Sequence, residues 1–422
     1  MKVIWNIAVV CLLMIVGQSC VQRKPDTAMN ERTKSNVTAK DILGNPYYQA
    51  ISFGGYREKT REVQPTIEQL KEDLKILHAM GIRIVRTYNV HLPHASNVVR
   101  AIHELTTADP SFEMYVMLGA WIDCKNAWTD QAPDHFAESE RNEKEMATAV
   151  ALANQYPDII KILAVGNEAM VKWAESYYVQ PSVILKWVTH AQQLKSEGKL
   201  NKDLWITSSD DFASWGGGDA SYHTKDLENL IKAVDYISMH TYPYHNTHYN
   251  PAYWRVPKNE QHLSEIEKIN AAMLRAQKFA KSQYDSVVNY VKSLEIDKPV
   301  HIGETGWATT SDGFYGKDGS RATDEFKQGE YYRLMRTWTN QEGISCFYFE
   351  AFDEQWKDAA NPNGSENHFG LFTIDGKAKY PLWSLVDEKI FDGLTRDGNA
   401  ITKSYGGDKQ ALLEEVLSPP MQ

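Results

Sequence analysis

Short, nearly continuous apolar runs alternate along this chain with longer stretches in which apolar residues recur at about every third or fourth position. The first pattern predicts strands buried on both faces, and the second predicts amphipathic helices. Eight runs qualify as strands: YQAISFGG (48–55), IRIVRTY (82–88), EMYVMLGAWI (113–122), IIKILAVGN (159–167), LWITSSD (204–210), DYISMHTY (235–242), PVHIGET (299–305) and ISCFYFEAF (344–352). Between them lie helical patterns such as TIEQLKEDLKILHAMG, with Thr66 and Glu68 near its start and Gly81 just past its end. A second is the long LSEIEKINAAMLRAQKFAKSQYDSVVNYVKSL. Buried strands each followed by a helix imply a parallel sheet, and eight repeats are what a closed (β/α)8 TIM barrel requires. An open doubly wound sheet is the alternative, but SFGGYREKT carries neither a G-x-G-x-x-G nor a phosphate-loop lysine.

The two ends read differently. MKVIWNIAVVCLLMIVGQSC combines Lys2, an apolar segment from Val3 to Val16 and small residues before Cys20, which is the pattern of an export signal. Its Gly17-Gln18-Ser19-Cys20 ending resembles a bacterial lipobox, with Cys20 as the lipidated residue and membrane contact through that lipid. Gln18 departs from the strictest form of that pattern, and an ordinary secretory signal is the alternative. The expected organisation is a signal over 1–20, a polar tether over 21–44, one barrel domain over 45–400, closing in the helical WSLVDEKIFDGL, and a tail over 401–422. The expected location is lipid-anchored in a bacterial cell envelope, at the outer membrane, with a secreted or periplasmic protein as the alternative.

At 422 residues, 42% hydrophobic and 24% charged, the chain reads as globular. Its formal charge of −10 comes without a basic stripe, so no nucleic-acid partner is expected. Cys124 and Cys346 read as buried thiols without chemistry. The pairs His91/His94 and His245/His248 have a spacing that metal sites use, yet lack a third ligand nearby and read as solvated loop residues. No metal or other cofactor is implied, no nucleophile elbow suggests an esterase, and a monomer is assumed.

Side chains at the C-terminal ends of barrel strands face the active-site cavity. Glu168 directly follows the fourth strand and Glu304 ends the seventh. Taken singly, either acid reads as a rim salt bridge. Together they suit glycoside hydrolysis, in which one carboxyl must hold a proton for the leaving oxygen while the other stays ionised to attack. Glu168 is assigned as acid/base and Glu304 as nucleophile.

Three blocks, AVGNEAM, HIGETGWAT and FYFEAFDEQWK…FGLF, resemble glycoside hydrolase family 17, the β-1,3-glucanases within the clan of retaining (β/α)8 glycosidases. The likeness runs over most of 48–383. It implies that Glu168 is the proton donor, Glu304 the nucleophile and Asn167 a partner of the sugar 2-hydroxyl. It further implies that Arg86 and Tyr88 line the central subsite, that Trp307 just beyond the nucleophile binds substrate, and that Glu354 and Lys357 flank the catalytic pair as substrate-binding residues. Plant members carry Asn-Glu-Asn where this chain has DEQWK, so the subsites nearest that loop are expected to differ.

Trp121, Tyr242, Tyr244, Phe352 and Trp356 fall at or past strand ends, where rings stack on sugars or simply fill the core. Tyr242, and His240 beside it, are expected to bond Glu304. Long loops after the third, sixth and eighth strands predict an extended cleft and a polysaccharide substrate. The leading expectation is a retaining endo-β-1,3-glucanase acting on a laminarin-like glucan. A β-1,3-glucan glucosyltransferase uses the same two acids, and a non-catalytic glycan-binding lipoprotein is the reading from outside enzymes.

Overall fold

The computed structural model describes residues 37–422. The expected signal and Cys20 lie outside these residues. Eight strands form a closed barrel: β1 Gln49–Ser52, β2 Ile82–Arg86, β3 Tyr115–Ala120, β4 Ile160–Asn167, β5 Trp205–Asp211, β6 Ile237–His240, β7 Val300–Gly306 and β8 Cys346–Phe349. Strands adjacent in sequence are adjacent in the barrel, and β1 closes on β8 in parallel register, Ala50 opposite Phe347. Every run read as a strand supplies one of them, which gives the (β/α)8 TIM barrel.

Seven principal helices wrap the barrel: α1 Ile67–Ala79, α2 His94–Ala108, α3 Arg141–Gln155, α4 Pro181–Ser196, α5 Lys225–Ala233, α6 Glu265–Ser293 and α7 Glu325–Glu342. Their ends follow local chemistry. Thr66 caps α1 by accepting from Gln69 N–H and Ser264 caps α6 with Glu267, each a reciprocal box. Helix α7 stops at Gly343, whose φ of +66° favours glycine. Core residues such as Leu74, Val98, Val116, Leu163 and Ile206 fill the space between strands and helices. Burying each such side chain contributes about 1.5–3 kcal/mol, which is what holds the strand ends rigidly enough to place chemistry on them.

Several local features differ from the sequence reading. The loop after β3 contains a two-stranded antiparallel hairpin, Cys124–Lys125 with Asp134–Glu138, too short to leave a periodic signal. The closing helix spans only Trp383–Asp387. Residues past 400 include the helix Lys409–Glu414, capped by Asp408, and a return against Val256, whose N–H donates to Pro420 O at 3.0 Å. Before β1, Ala39–Ile42 forms one helical turn with Ala39 and Ile42 buried, and Gly44 N–H donates to Ser345 Oγ at 2.8 Å.

Candidate active site

The chain leaves β4 through a tight turn. Gly166 has a φ of +85°, and a Cβ there would come within 2.9 Å of Ala169 Cβ, so glycine satisfies both the backbone and the space. Glu168 also lies in the left-handed region, with φ +46°, a conformation that costs about 1 kcal/mol or more in a residue other than glycine. Two bonds hold it there: Glu168 N–H to Ser209 O at 2.9 Å and Met170 N–H to Asp210 Oδ2 at 2.7 Å. The register irregularity between Ala164 and Asn167 marks the same place. Such bulges at a barrel rim re-aim side chains, and here the turn carries the acid.

Glu304 sits on β7 with three donors on its carboxylate. Arg86 Nη1 donates to Oε2 at 2.6 Å, Tyr88 Oη to Oε2 at 3.1 Å and Tyr242 Oη to Oε1 at 2.6 Å. Arg86 is itself fixed by Gly303 O at 2.7 Å and by Asn167 Oδ1, which accepts from Nη2 at 2.5 Å. With its oxygen engaged, Asn167 keeps its amide N–H groups for a ligand. Gly303 makes room beneath: a Cβ would fall 2.1 Å from Ser238 Oγ and 2.5 Å from Ser209 Oγ.

His240, fully buried on β6 opposite Glu304 in register, lies between the two acids. Its Nδ1 is 3.0 Å from Glu168 Oε1, and its Nε2 is 2.8 Å from Ser209 Oγ and 3.3 Å from Arg86 Nη1. A guanidinium nitrogen only donates. Nε2 is therefore the accepting nitrogen, and the neutral ring carries its proton on Nδ1, directed at Glu168.

The electrostatics separate the two carboxyls. Burial, reinforced by the charge of Glu304, pushes Glu168 up to about 8. Burial alone would raise Glu304 too, but His240, Arg86, the Tyr242 hydroxyl and Lys357 pull it below the ordinary carboxylate value. Burial takes His240 itself down to about 4, so at neutral pH the ring is uncharged and Arg86 supplies the charge that counts. Burial first and the Glu304 charge second drive Tyr88 and Tyr242 well above the ordinary phenol value, which keeps both as O–H donors. The arrangement presents a protonated acid beside an ionised one.

Of the residues singled out in the sequence, Arg86, Tyr88, Asn167, Glu168, His240, Tyr242 and Glu304 are joined by these contacts, although His240 bonds Glu168 rather than the expected Glu304, from whose Oε2 its Nε2 stands 4.0 Å. Lys357 stands nearby over the Phe349 ring at 3.8 Å, paired with Glu350 at 2.7 Å rather than with Glu354 at 4.0 Å. Glu354 is buried, accepting from Tyr56 N–H at 3.3 Å and Trp356 Nε1–H at 2.7 Å. Trp121 is half-buried beside Tyr177, with ring centroids 5.3 Å apart.

Two expected sugar contacts are corrected. Trp307 is fully buried, its Nε1–H donates to Ala322 O at 2.8 Å, and its ring packs on Tyr244, Trp254 and Tyr331. Phe352 is buried between Phe372 and the Arg396 guanidinium. Neither has a face to offer a sugar. The expectation of solvated loop histidines is also corrected: His94 opens α2, buried against Tyr56, and His245 lies on the short helix Pro243–Tyr249 and meets Tyr315 Oη at 3.1 Å, while His91 faces Glu145. Among the described residues no group of three His, Cys, Asp or Glu side chains is placed to hold a metal.

Glu350 and Asp210 were missed by the sequence reading, and both carried a readable signal. Asp210 closes the run LWITSSD, and Glu350 interrupts the apolar ISCFYFEAF.

Comparison with known proteins places this geometry in context. A family model described as the BtgE/BtgC glycoside hydrolase domain matches residues 50–370. The structure superposes on an endo-laminarinase from Formosa Hel1_33_131 with a TM-score of 0.91 and 65% identity, covering 92% of this chain and 98% of that one. A glucan 1,3-beta-glucosidase of Arthroderma benhamiae is 36% identical over 122 residues, 26% of this chain and 38% of that protein. A probable glucan endo-1,3-beta-glucosidase btgC of Aspergillus flavus is 23% identical over 376 residues, 84% of this chain and 46% of that protein. The chain thus spans less than half the length of either of these two curated relatives.

Proposed function

The chain belongs to the BtgE/BtgC glycoside hydrolase domain family, and from that premise we propose that it is a retaining endo-β-1,3-glucanase acting on a laminarin-like glucan. The observation that carries the reading is the opposed setting of the two acids, Glu304 held ionised by Arg86, Tyr88 and Tyr242 while burial keeps Glu168 protonated. The 65% identity to an endo-laminarinase over nearly the whole described chain supports the substrate class.

Glu304 attacks the anomeric carbon while Glu168 gives its proton to the departing glycosidic oxygen. As the ester forms, the negative charge on Glu304 disappears. That charge is one of the causes raising Glu168, so its loss lowers the pKa of Glu168 at the moment the residue must act as a base. The carboxylate now on Glu168, stabilised by the Nδ1–H of His240, then takes a proton from water as the water oxygen attacks the anomeric carbon and the bond to Glu304 breaks, which returns the Glu304 carboxylate and releases the sugar with its configuration retained. Arg86 and Asn167 fix the nucleophile and, through the free Asn167 amide, offer a donor to the neighbouring hydroxyl.

Product analysis tests this. Wild type should release a ladder of short oligosaccharides from laminarin early in the reaction, and Glu304→Ala and Glu168→Ala should each abolish it. Products longer than the starting chain would instead indicate a transferase, and tight binding without cleavage would indicate a capture protein.

The proposed location is the bacterial cell envelope, with Cys20 as the lipid-bearing residue; the lipobox-like GQSC and the polar stretch after it support this. Incorporation of labelled fatty acid, lost in Cys20→Ala, is the expected result, and unlabelled soluble protein would argue for a secreted enzyme.

A further inference from the structure

Six aromatic side chains are exposed among the described residues, and five of them lie on loops beyond the C-terminal ends of barrel strands: Trp128, Phe136, Trp173, Tyr249 and Phe314. Water-facing rings cost solvation energy, so their concentration on one face asks for a ligand. Trp128 is the most informative. It is 57% exposed, yet its backbone is held at φ +62°, a strained value for a bulky residue.

The loop that imposes this strain is braced. Arg141 Nη2 donates to Asp123 Oδ2 at 2.7 Å and to Ala127 O at 3.3 Å, and Asn126 Nδ2 donates to Ala132 O at 3.0 Å. Structure is being spent to hold outward a ring that the core does not use.

One face of the Trp128 indole stacks on Tyr177, centroids 5.0 Å apart and planes at 21°, and Tyr177 in turn touches Trp121. Trp121 lies 6.5 Å from the same ring, and with both neighbours in place Trp128 is still 57% exposed. Tyr177 links this group to the chemistry: Cys124 N–H donates to Tyr177 O at 3.1 Å, and Val179 N–H, two residues on, donates to Ala169 O at 2.7 Å, which ties the Tyr177 segment to the turn that carries Glu168. Trp128, Tyr177 and Trp121 therefore cluster on the loops after β3 and β4, beside the turn that carries Glu168.

We propose that Trp128, backed by Tyr177 and Trp121, is a distal sugar-stacking platform that holds a glucosyl unit of the polysaccharide away from the scissile bond. A β-linked glucopyranose has equatorial substituents and bare axial C–H faces, the shape and polarity that an exposed indole face accepts. The platform makes the enzyme selective for long, neutral glucan chains over short oligosaccharides.

This inference rests on the β-1,3-glucanase reading and is tested beside it. The ratio of kcat/KM for laminarin to that for laminaritriose is measured in wild type, Trp128→Ala and Trp128→Tyr. Trp128→Ala should lower the ratio about tenfold, through KM for the polymer, while Trp128→Tyr, which restores a ring, keeps most of it. A ratio within twofold of wild type in Trp128→Ala overturns the platform and leaves the glucanase standing. Failure of wild type to cleave either substrate overturns both.

Discussion

The two carboxylates share one barrel mouth and one histidine neighbour, but their surroundings differ in kind. Glu304, on β7 where the register shifts against both neighbouring strands, accepts from a buried guanidinium and two tyrosine hydroxyls. Glu168, on a strained turn, has one neutral imidazole as hydrogen-bond partner, and desolvation and the charge of Glu304 outweigh the pull of Arg86. Identical side chains thus acquire opposite protonation, and the neighbours rather than the residue type assign the roles. The difference also explains where strain is placed. The nucleophile needs a fixed orientation, which three donors at the ends of β2 and β6 supply, whereas the acid needs to be aimed, which the left-handed turn supplies.

The contrast breaks most completely at the nucleophile. Glu304→Gln should reduce kcat on laminarin by at least about 10⁴-fold, since no other group forms the ester. Glu168→Gln should cost about 10²–10⁴-fold on the same glucan. With an aryl glycoside whose phenol leaves without protonation, glycosylation in that variant should be largely restored, and steady-state kinetics with both substrates checks it. Tyr242→Phe removes one charge-assisted bond to Glu304 and should lower kcat/KM about 10–100-fold without unfolding the barrel.

The pH dependence sharpens the comparison further. Activity requires Glu304 ionised and Glu168 protonated. The rate should therefore fall as pH rises through about 8, where Glu168 loses its proton, and fall again below the ordinary carboxylate range as Glu304 gains one. In Glu304→Gln the charge that helps raise Glu168 is gone, so its pKa, followed by carboxyl infrared or NMR titration, should drop. An unchanged value would mean that burial alone sets it.

Much of this was legible in the sequence, for physical reasons. Parallel barrel strands are buried on both faces, so IIKILAVGN and PVHIGET stand out as apolar runs. An acid at the end of such a run breaks the pattern, which is why Glu168 and Glu304 are visible; an acid within one, as Glu350 is in ISCFYFEAF, breaks it too. Which face an aromatic shows is decided by tertiary packing, so Trp307 and Phe352, at strand ends, gave no hint that they are core. Trp128 was hidden for the opposite reason, because its exposure depends on a hairpin too short to announce itself. The bond from Arg86 to Asn167, between β2 and β4, belongs to barrel closure and has no local signature.

The central claim is that Glu304 attacks and Glu168 first donates and then removes a proton. Proton NMR of the first reducing ends released from laminarin, recorded before mutarotation, tests it most directly. The account predicts initial products in the β configuration. Initial α products would show single-step inversion and would contradict the assignment of Glu304 as a nucleophile.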